Sequence, residues 1–238
     1  MRPPIKSLPR YFEDERGRRE FLDTLFDRTA RDYDFVESVL ALGSGSGYRR
    51  DALRRAGMRA RMRMLDVATG TGLVASEALA LGGDVIGLDP SAGMLSEARR
   101  FAYPLVRGRG ERLPFRDASF DFVAMGFALR HVSDIDALFA EMRRVLAPGG
   151  TACILEITRP THRVVAASLR VFMTRIVPVI ARAARRDGAS LMKFYWDTID
   201  ACVAPDIVLG SLVRAGFASP HRRVILGMFS EYIAQRPA

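Results

Sequence analysis

The run Met64-Leu65-Asp66-Val67-Ala68-Thr69-Gly70-Thr71-Gly72-Leu73-Val74-Ala75 sets a short apolar strand against a glycine turn and a helix start. Glycine lets the backbone turn tightly and approach a ligand closely, so this is the context in which Gly-x-Gly holds a nucleotide. It also dictates its surroundings, because a strand that feeds a crossover helix needs a parallel neighbour. The chain supplies several. Arg63–Val67 reads as a strand, Leu73–Leu81 as a helix ending at Gly82-Gly83, and Val85–Leu88 as a second strand. Pro90-Ser91 opens a helix to about Phe101, and Pro104–Val106 and Phe120–Met125 follow as strands. Asp134–Leu146 is a helix stopped by Pro148-Gly149-Gly150, and Thr151–Ile157 a fifth strand. This alternation predicts an α/β fold with a parallel, doubly wound sheet.

The flanks differ. Residues 1–16 are polar and proline-containing, and read as a loose arm. From Arg18 to Leu42 apolar residues recur at helical spacing, predicting one or two helices. Gly43-Ser44-Gly45-Ser46-Gly47 reads as a flexible break, followed by a basic helix from about Tyr48 to Ala56. After Pro160 comes a long insertion, then a helix over Asp206–Ala215 and two closing strands, Arg222–Leu226 and Phe229–Ala234. The expected organisation is one domain in four parts. These are an N-terminal helical cap (1–60), a nucleotide-binding core (61–158), a helical insertion (159–204) and a C-terminal helix and hairpin (205–238).

Asp89 ends the second strand, where a carboxylate can accept both hydroxyls of a ribose. NAD and S-adenosylmethionine would use it equally, and the turn, with Ala75 in the third place of G-x-G-x-x-A, also admits NAD. Asp66 separates the two. A carboxylate within an apolar strand is costly unless something meets it. It would repel the pyrophosphate of NAD and attract the ammonium of S-adenosylmethionine. The bland alternatives are that Asp66 caps a loop amide and that Asp89 caps the helix opened by Pro90-Ser91.

In these features the chain resembles a class I S-adenosylmethionine-dependent methyltransferase, and more narrowly the C-methyltransferases of ubiquinone and menaquinone biosynthesis. The likeness runs from about Phe26 to Phe217. Besides the glycine run it rests on Phe26-Asp27-Arg28-Thr29-Ala30-Arg31-Asp32-Tyr33-Asp34, Gly87-Leu88-Asp89-Pro90-Ser91-Ala92-Gly93-Met94-Leu95, Glu111-Arg112-Leu113-Pro114-Phe115, Phe127-Ala128-Leu129-Arg130 and Arg144-Val145-Leu146-Ala147-Pro148-Gly149-Gly150. The resemblance implies a Rossmann-like sheet of seven strands with the last antiparallel. It implies that Gly70, Thr71 and Gly72 hold the amino-acid part of the cofactor, Asp89 the ribose and Met94 the adenine, and that Gly126 faces the reacting methyl.

Four positions depart from the family pattern. Arg109 stands where an acidic or amide residue normally meets the adenine amine, which leaves adenine to the Gly110 backbone and to ring packing and turns Arg109 outward. Gly126 replaces a serine, His131 an asparagine and Glu37 another asparagine. The cofactor half is nearly intact and the substrate half has drifted.

A ring carbon becomes a methyl acceptor once a neighbouring phenol loses its proton. By resemblance Arg130 stabilises that oxygen as a fixed cation. His131, whose ordinary pKa is near neutral, is the candidate base. Against these stand a structural salt bridge for Arg130 and a backbone hydrogen bond for His131. His162 and His221 read as solvated, and no metal-ligand spacing occurs, so no metal is expected.

Net charge is +9, carried almost wholly by arginine, since Lys6 and Lys193 are the only lysines. That charge either marks an anionic partner or reflects an arginine-rich composition. No zinc-finger or RNA-binding aromatic signature accompanies it, so no nucleic acid partner is expected. From Arg163 to Arg186, Val165, Leu169, Phe172, Met173, Ile176 and Ile180 share one helical face and arginines the other, with Pro178 expected to kink the helix. Such a helix either lies on an anionic membrane, covers the core, or makes a homodimer contact. No charge-free window of about 20 residues and no secretory leader is seen, and two isolated cysteines fit a reducing compartment, so the expected place is cytoplasmic, or peripheral at the inner membrane face. The activity expected is carbon methylation of a small aromatic substrate, a quinol with a prenyl tail or a phenol. The alternatives are O- or N-methylation of a soluble metabolite, an NAD-dependent oxidoreductase, and a non-catalytic binding protein.

Overall fold

Four of the five residues of Arg63–Val67 (β1) are buried, so the strand reads as a continuous apolar run, as a strand covered on both faces must. The computed structural model describes Pro3 and residues 8–184 and 189–238. Six further strands flank β1: Asp84–Asp89 (β2), Leu105–Arg107 (β3), Phe120–Gly126 (β4), Leu146–Ile157 (β5), Ala218–Ile225 (β6) and Phe229–Gln235 (β7). They form one sheet in the order β3-β2-β1-β4-β5-β7-β6. All pairs up to β4–β5 are parallel, and β7 runs antiparallel to both β5 and β6. This is the Rossmann-like doubly wound sheet expected, closing in the terminal hairpin.

On one face Gly45–Arg55 (α2) and Leu73–Ala80 (α3) pack Leu53, Ala75 and Ala78 against Phe122, Cys153 and Leu155. On the other, Ile135–Val145 (α5) and Pro205–Arg214 (α9) pack Leu138, Met142 and Leu212 against Val123, Ile154 and Tyr232. The chain runs outward through β2 and β3, then crosses back to β4. The strand order therefore reverses between β1 and β4, and that switch point leaves a crevice at the carboxyl ends of the strands.

A third apolar cluster sits at that end. It joins Glu15–Leu40 (α1) with Val177–Ala183 (α7) and Ala189–Ala201 (α8), through Leu22, Met173, Val177, Phe194, Trp196 and Ile157. The N-terminal periodicity resolves into the single helix α1. The glycine-serine stretch is less loose than its composition implies. It enters α2 at Gly45, and the Ser46 hydroxyl donates to Glu77 at 2.5 Å.

The insertion differs from its predicted pattern. Arg163–Val171 (α6) passes through a π-helical turn, Phe172–Ile176, into α7. The covered residues are Ala166, Met173, Val177, Pro178 and Ala181, whereas Val165, Ile176 and Ile180 are exposed. The cause is local. Pro178 lacks an N–H and its ring crowds the preceding turn, which widens into a π turn and rotates the following stripe. Arg185 and Arg186, placed on the basic face by sequence, lie outside the described residues.

Candidate functional site

The crevice opens into a cavity of about 1030 Å³, mouth included, walled by the glycine turn, Asp89, Met94, Gly110, Gly126 and His131 among others. Gly70 and Gly72 take left-handed φ angles of +57° and +90°. A Cβ on Gly72 would stand 2.6 Å from the Tyr103 hydroxyl, so only glycine fits there, while Gly70 has open space beside it. Asp89 accepts from the Gly70 and Ser91 amides, each at 2.9 Å. Burial pushes its pKa up to about 6.

Asp66 is fully buried behind the turn rather than on the cavity wall. Its Oδ2 accepts from the Thr69 hydroxyl at 2.7 Å and the Ala75 amide at 3.2 Å, which ties the turn together. Its Oδ1 has no partner. Burial, with a smaller contribution from Asp89, raises its pKa to about 7. The capping alternative thus describes one oxygen of Asp66 and leaves the other unanswered.

α1 lies over the cavity, lining it with Leu22, Asp23, Phe26 and Tyr33, and one stripe of acids ties the helix to its surroundings. Asp23, Asp27, Asp34 and Glu37 recur at steps of three, four or seven, so they share a helix face. Asp23 accepts from Arg109 at 2.8 and 3.1 Å. Asp27 accepts from the Ser91 hydroxyl at 2.5 Å and the Gly93 amide at 2.9 Å. Asp34 accepts from the Thr71 hydroxyl at 2.5 Å and pairs with Arg100. Glu37 pairs with Arg49. Arg109 therefore does not simply turn outward; its charge is met by Asp23 at the cavity wall. Gly126 also has a structural reason, since a Cβ there would lie 2.5 Å from a Val74 methyl. A Cβ on Gly110 would likewise meet Leu138 at 2.6 Å and Val67 at 2.9 Å.

Beyond β4 the chain turns through Phe127, whose φ of +59° is strained for a side-chain-bearing residue. A 3-10 turn, Leu129–His131, follows. His131 is half-buried and lines the cavity, and both its ring nitrogens are shielded from solvent without a partner. It stacks on Phe194 at 5.6 Å and meets Phe26 edge-on at 5.2 Å. Burial first, then the Arg130 and Arg18 charges, hold its pKa well below 6.5, so the ring is neutral at neutral pH.

Arg130 is set back from the cavity that holds the glycine turn, and its Nη2 has no partner. It is fully buried, pairs with buried Glu156, and donates to the Phe127 carbonyl at 3.0 Å and the Thr198 hydroxyl at 3.1 Å. Its guanidinium lies over the Tyr195 ring at 4.7 Å. It does not line the cofactor-sized cavity. It lines a second one of about 480 Å³, mouth included, walled mainly by apolar side chains such as Val36, Leu40, Ile157 and Met192. Tyr33, Phe127 and Tyr195 wall both cavities.

The model of the ubiE/COQ5 methyltransferase family matches residues 13–222. The chain belongs to that family. A demethylmenaquinone methyltransferase of Mycobacterium sp. (strain KMS) is 39% identical over 160 residues, covering 67% of this chain and 70% of the relative. The enzyme of that name from Mycobacterium tuberculosis (strain CDC 1551 / Oshkosh) is 31% identical over 204 residues, 86% of this chain and 87% of its own. Among solved structures, a SAM-dependent methyltransferase from Thermotoga maritima superposes with a TM-score of 0.63 at 18% identity, over 90% of this chain and 98% of that one. One from Aquifex aeolicus does so at 0.58 and 17%, over 79% and 89%.

This is therefore a methyltransferase dependent on S-adenosylmethionine, and the NAD reading is set aside. The site fits that cofactor. Asp89, on the cavity wall, would take the ribose hydroxyls, whereas Asp66 lies off that wall and would act on the ammonium only as a buried charge behind the glycine turn. Gly70 leaves room for close approach, and Met94 is available to the adenine. Arg49 is a cavity-lining cation that sequence reasoning missed, with a buried Nε that lacks a partner. Nothing in the basic run of α2 marked it out from its neighbours; only the fold turns it inward to Glu37.

These carboxyls set a pH dependence. Their pKa values are raised by folding, to about 7 and about 6, above an unfolded value near 3.8. Their contribution to stability is thus complete below the unfolded value and is lost as pH rises through about 6 and 7. A bound ammonium and ribose select the ionised forms. Affinity for S-adenosylhomocysteine is expected to rise from about pH 5 and level off above about pH 8, with proton release on binding. Calorimetry in two buffers of different ionisation enthalpy checks this, and a pH-independent affinity would contradict it. Asp89→Ala is expected to weaken binding by about 10- to 100-fold, the worth of one or two charge-assisted hydrogen bonds.

Proposed function

We propose that the chain methylates a ring carbon of a quinol or phenol that carries an apolar tail. The observation that carries this reading is His131, a neutral imidazole with two free nitrogens in the same cavity as the glycine turn. Phe26, Tyr33, Phe127 and Tyr195 line that cavity too, a setting suited to a flat ring. When bound, S-adenosylmethionine supplies an electrophilic methyl group. His131 accepts the proton of the ring hydroxyl, and the resulting phenolate makes the adjacent carbon nucleophilic. Arg130 acts as a positioning residue, holding the Phe127 carbonyl and the Tyr195 ring. The apolar second cavity, joined through those shared side chains, takes the first part of the tail. The names of the mycobacterial relatives favour a demethylmenaquinol as substrate.

The test is incubation of the purified protein with S-adenosylmethionine and a reduced demethylnaphthoquinone bearing a short isoprenoid tail, followed by carbon NMR of the product. A ring-bound methyl is expected. A methoxy product would move the chemistry to oxygen, and no product from tailed or tailless quinols would remove the reading.

A further inference from the structure

We propose that α6, the π turn and α7 form a docking face for an anionic phospholipid bilayer. Val164, Val165, Val171, Ile176, Val179 and Ile180 are each between 40% and 66% exposed within one 21-residue helical stretch. Large apolar side chains concentrated so closely on the outside mark an interaction surface rather than chance exposure. The same stretch, Arg163–Ala183, carries four arginines and no acidic residue.

A groove beside it extends that charge. Arg170, Arg175 and Arg182 line it, joined by Arg10 and by Lys193 of α8. Its single acid, Asp197, is already engaged by Arg10 at 3.4 Å and by the Tyr11 hydroxyl at 2.6 Å. Apolar ridge beside cationic groove is the pattern of an interfacial helix. Valine and isoleucine enter the acyl boundary while arginines meet lipid phosphates.

The charge argues for lipid against a second copy of the chain, because two such faces would repel. The stretch is long and apolar enough to cross a bilayer. Docking along the surface fits better, since Met173, Val177 and Ala181 are buried against the rest of the fold and a spanning pose would put Arg170 and Arg175 in hydrocarbon. The face also connects to the site. Leu191, Met192 and Tyr195 of α8 wall the second cavity while Lys193 and Trp196 line the groove. A tail dissolved in the bilayer would thus be presented one helix away from its pocket. That last link rests on the proposed quinol reading; the docking itself does not.

Vesicle flotation of the full chain at low salt tests the docking, with vesicles of phosphatidylcholine alone and of equal parts phosphatidylcholine and phosphatidylglycerol. Binding to the anionic vesicles and little to the neutral ones is expected. Each arginine near such a surface is worth about fivefold, so the triple variant R170Q/R175Q/R182Q should bind on the order of a hundredfold more weakly. Val164→Ser with Val179→Ser should weaken the binding that survives added salt. All five side chains are exposed, so melting temperatures should hold. The proposal is overturned by a wild-type chain that ignores anionic vesicles, by undiminished binding of the arginine variant, or by a dimer that these variants dissolve without any vesicle binding. None of these readouts depends on turnover, so a failed assay for quinol methylation leaves this test standing.

Discussion

Replacing His131 by phenylalanine is expected to lower kcat by about 10²- to 10⁴-fold, the usual worth of a positioned base, while S-adenosylhomocysteine binds as before. Phenylalanine keeps the stack on Phe194 and the edge contact with Phe26, so the cavity should keep its shape. The ligand-free variant should also melt slightly higher. Two buried ring nitrogens without partners cost stability, and an orphaned polar group is worth about 1–3 kcal/mol. His131→Asn retains an acceptor and should fall between the two. Because the imidazole is held neutral well below pH 6.5, it should add no acid limb near neutrality; a limb between about pH 6 and 7 belongs to Asp89 and Asp66. Wild-type turnover by the phenylalanine variant would remove His131 from the chemistry.

Arg130→Ala is expected to unfold the protein well below the wild-type melting temperature, because it strands Glu156. That carboxylate is 1% exposed, and stripping a buried charge of its partner costs about 3–5 kcal/mol. For a chain of this size the loss corresponds to a melting point about 10 °C lower. Arg130→Lys should rescue little, since one nitrogen cannot reach the acceptors that the guanidinium meets from two separate atoms, Thr198 at Nε and Glu156 and the Phe127 carbonyl at Nη1. Removing both charges, as Arg130→Met with Glu156→Leu, should recover most of the stability. Scanning calorimetry of the three variants decides. A stable Arg130→Ala protein that has lost only turnover would restore the role of a cation acting on the substrate oxygen.

The two catalytic candidates show how far a linear reading reaches. Arg130 and His131 are neighbours in sequence and looked like one constellation. In the fold the 3-10 turn aims them apart, the arginine into the core beside Glu156 and the imidazole into the cavity. No spacing rule could separate them, because the partner of Arg130 arrives from β5 and the ring neighbours of His131 from α1 and α8. Asp66 shows the converse. Its cost inside an apolar strand was legible, and the structure adds only that one oxygen ties the turn and the other stays open.

The sheet was legible for a local reason. The strands, turns and helix starts of the core are each signalled by residues close together in the chain, as with Gly72 at +90° or the Ser91 hydroxyl that caps Ala92–Ala98 at the Met94 amide. The insertion was not, because its apolar face was read from a regular helical period that the π turn interrupts. That turn, before Pro178, chose the covered side, and so left valines and arginines facing outward together. By itself, then, the sequence determined the order of the strands, the glycine turn and its two acids, since these depend on backbone geometry and near-neighbour chemistry. Only the tertiary structure decided that α1 sets Asp23 on the cavity wall and ties itself down through Asp27, Asp34 and Glu37, that Arg49 faces inward, that Arg130 pairs with Glu156, and that a second apolar cavity adjoins the first. Each of those depends on contacts between elements far apart in the chain, where burial and charge pairing are settled by packing.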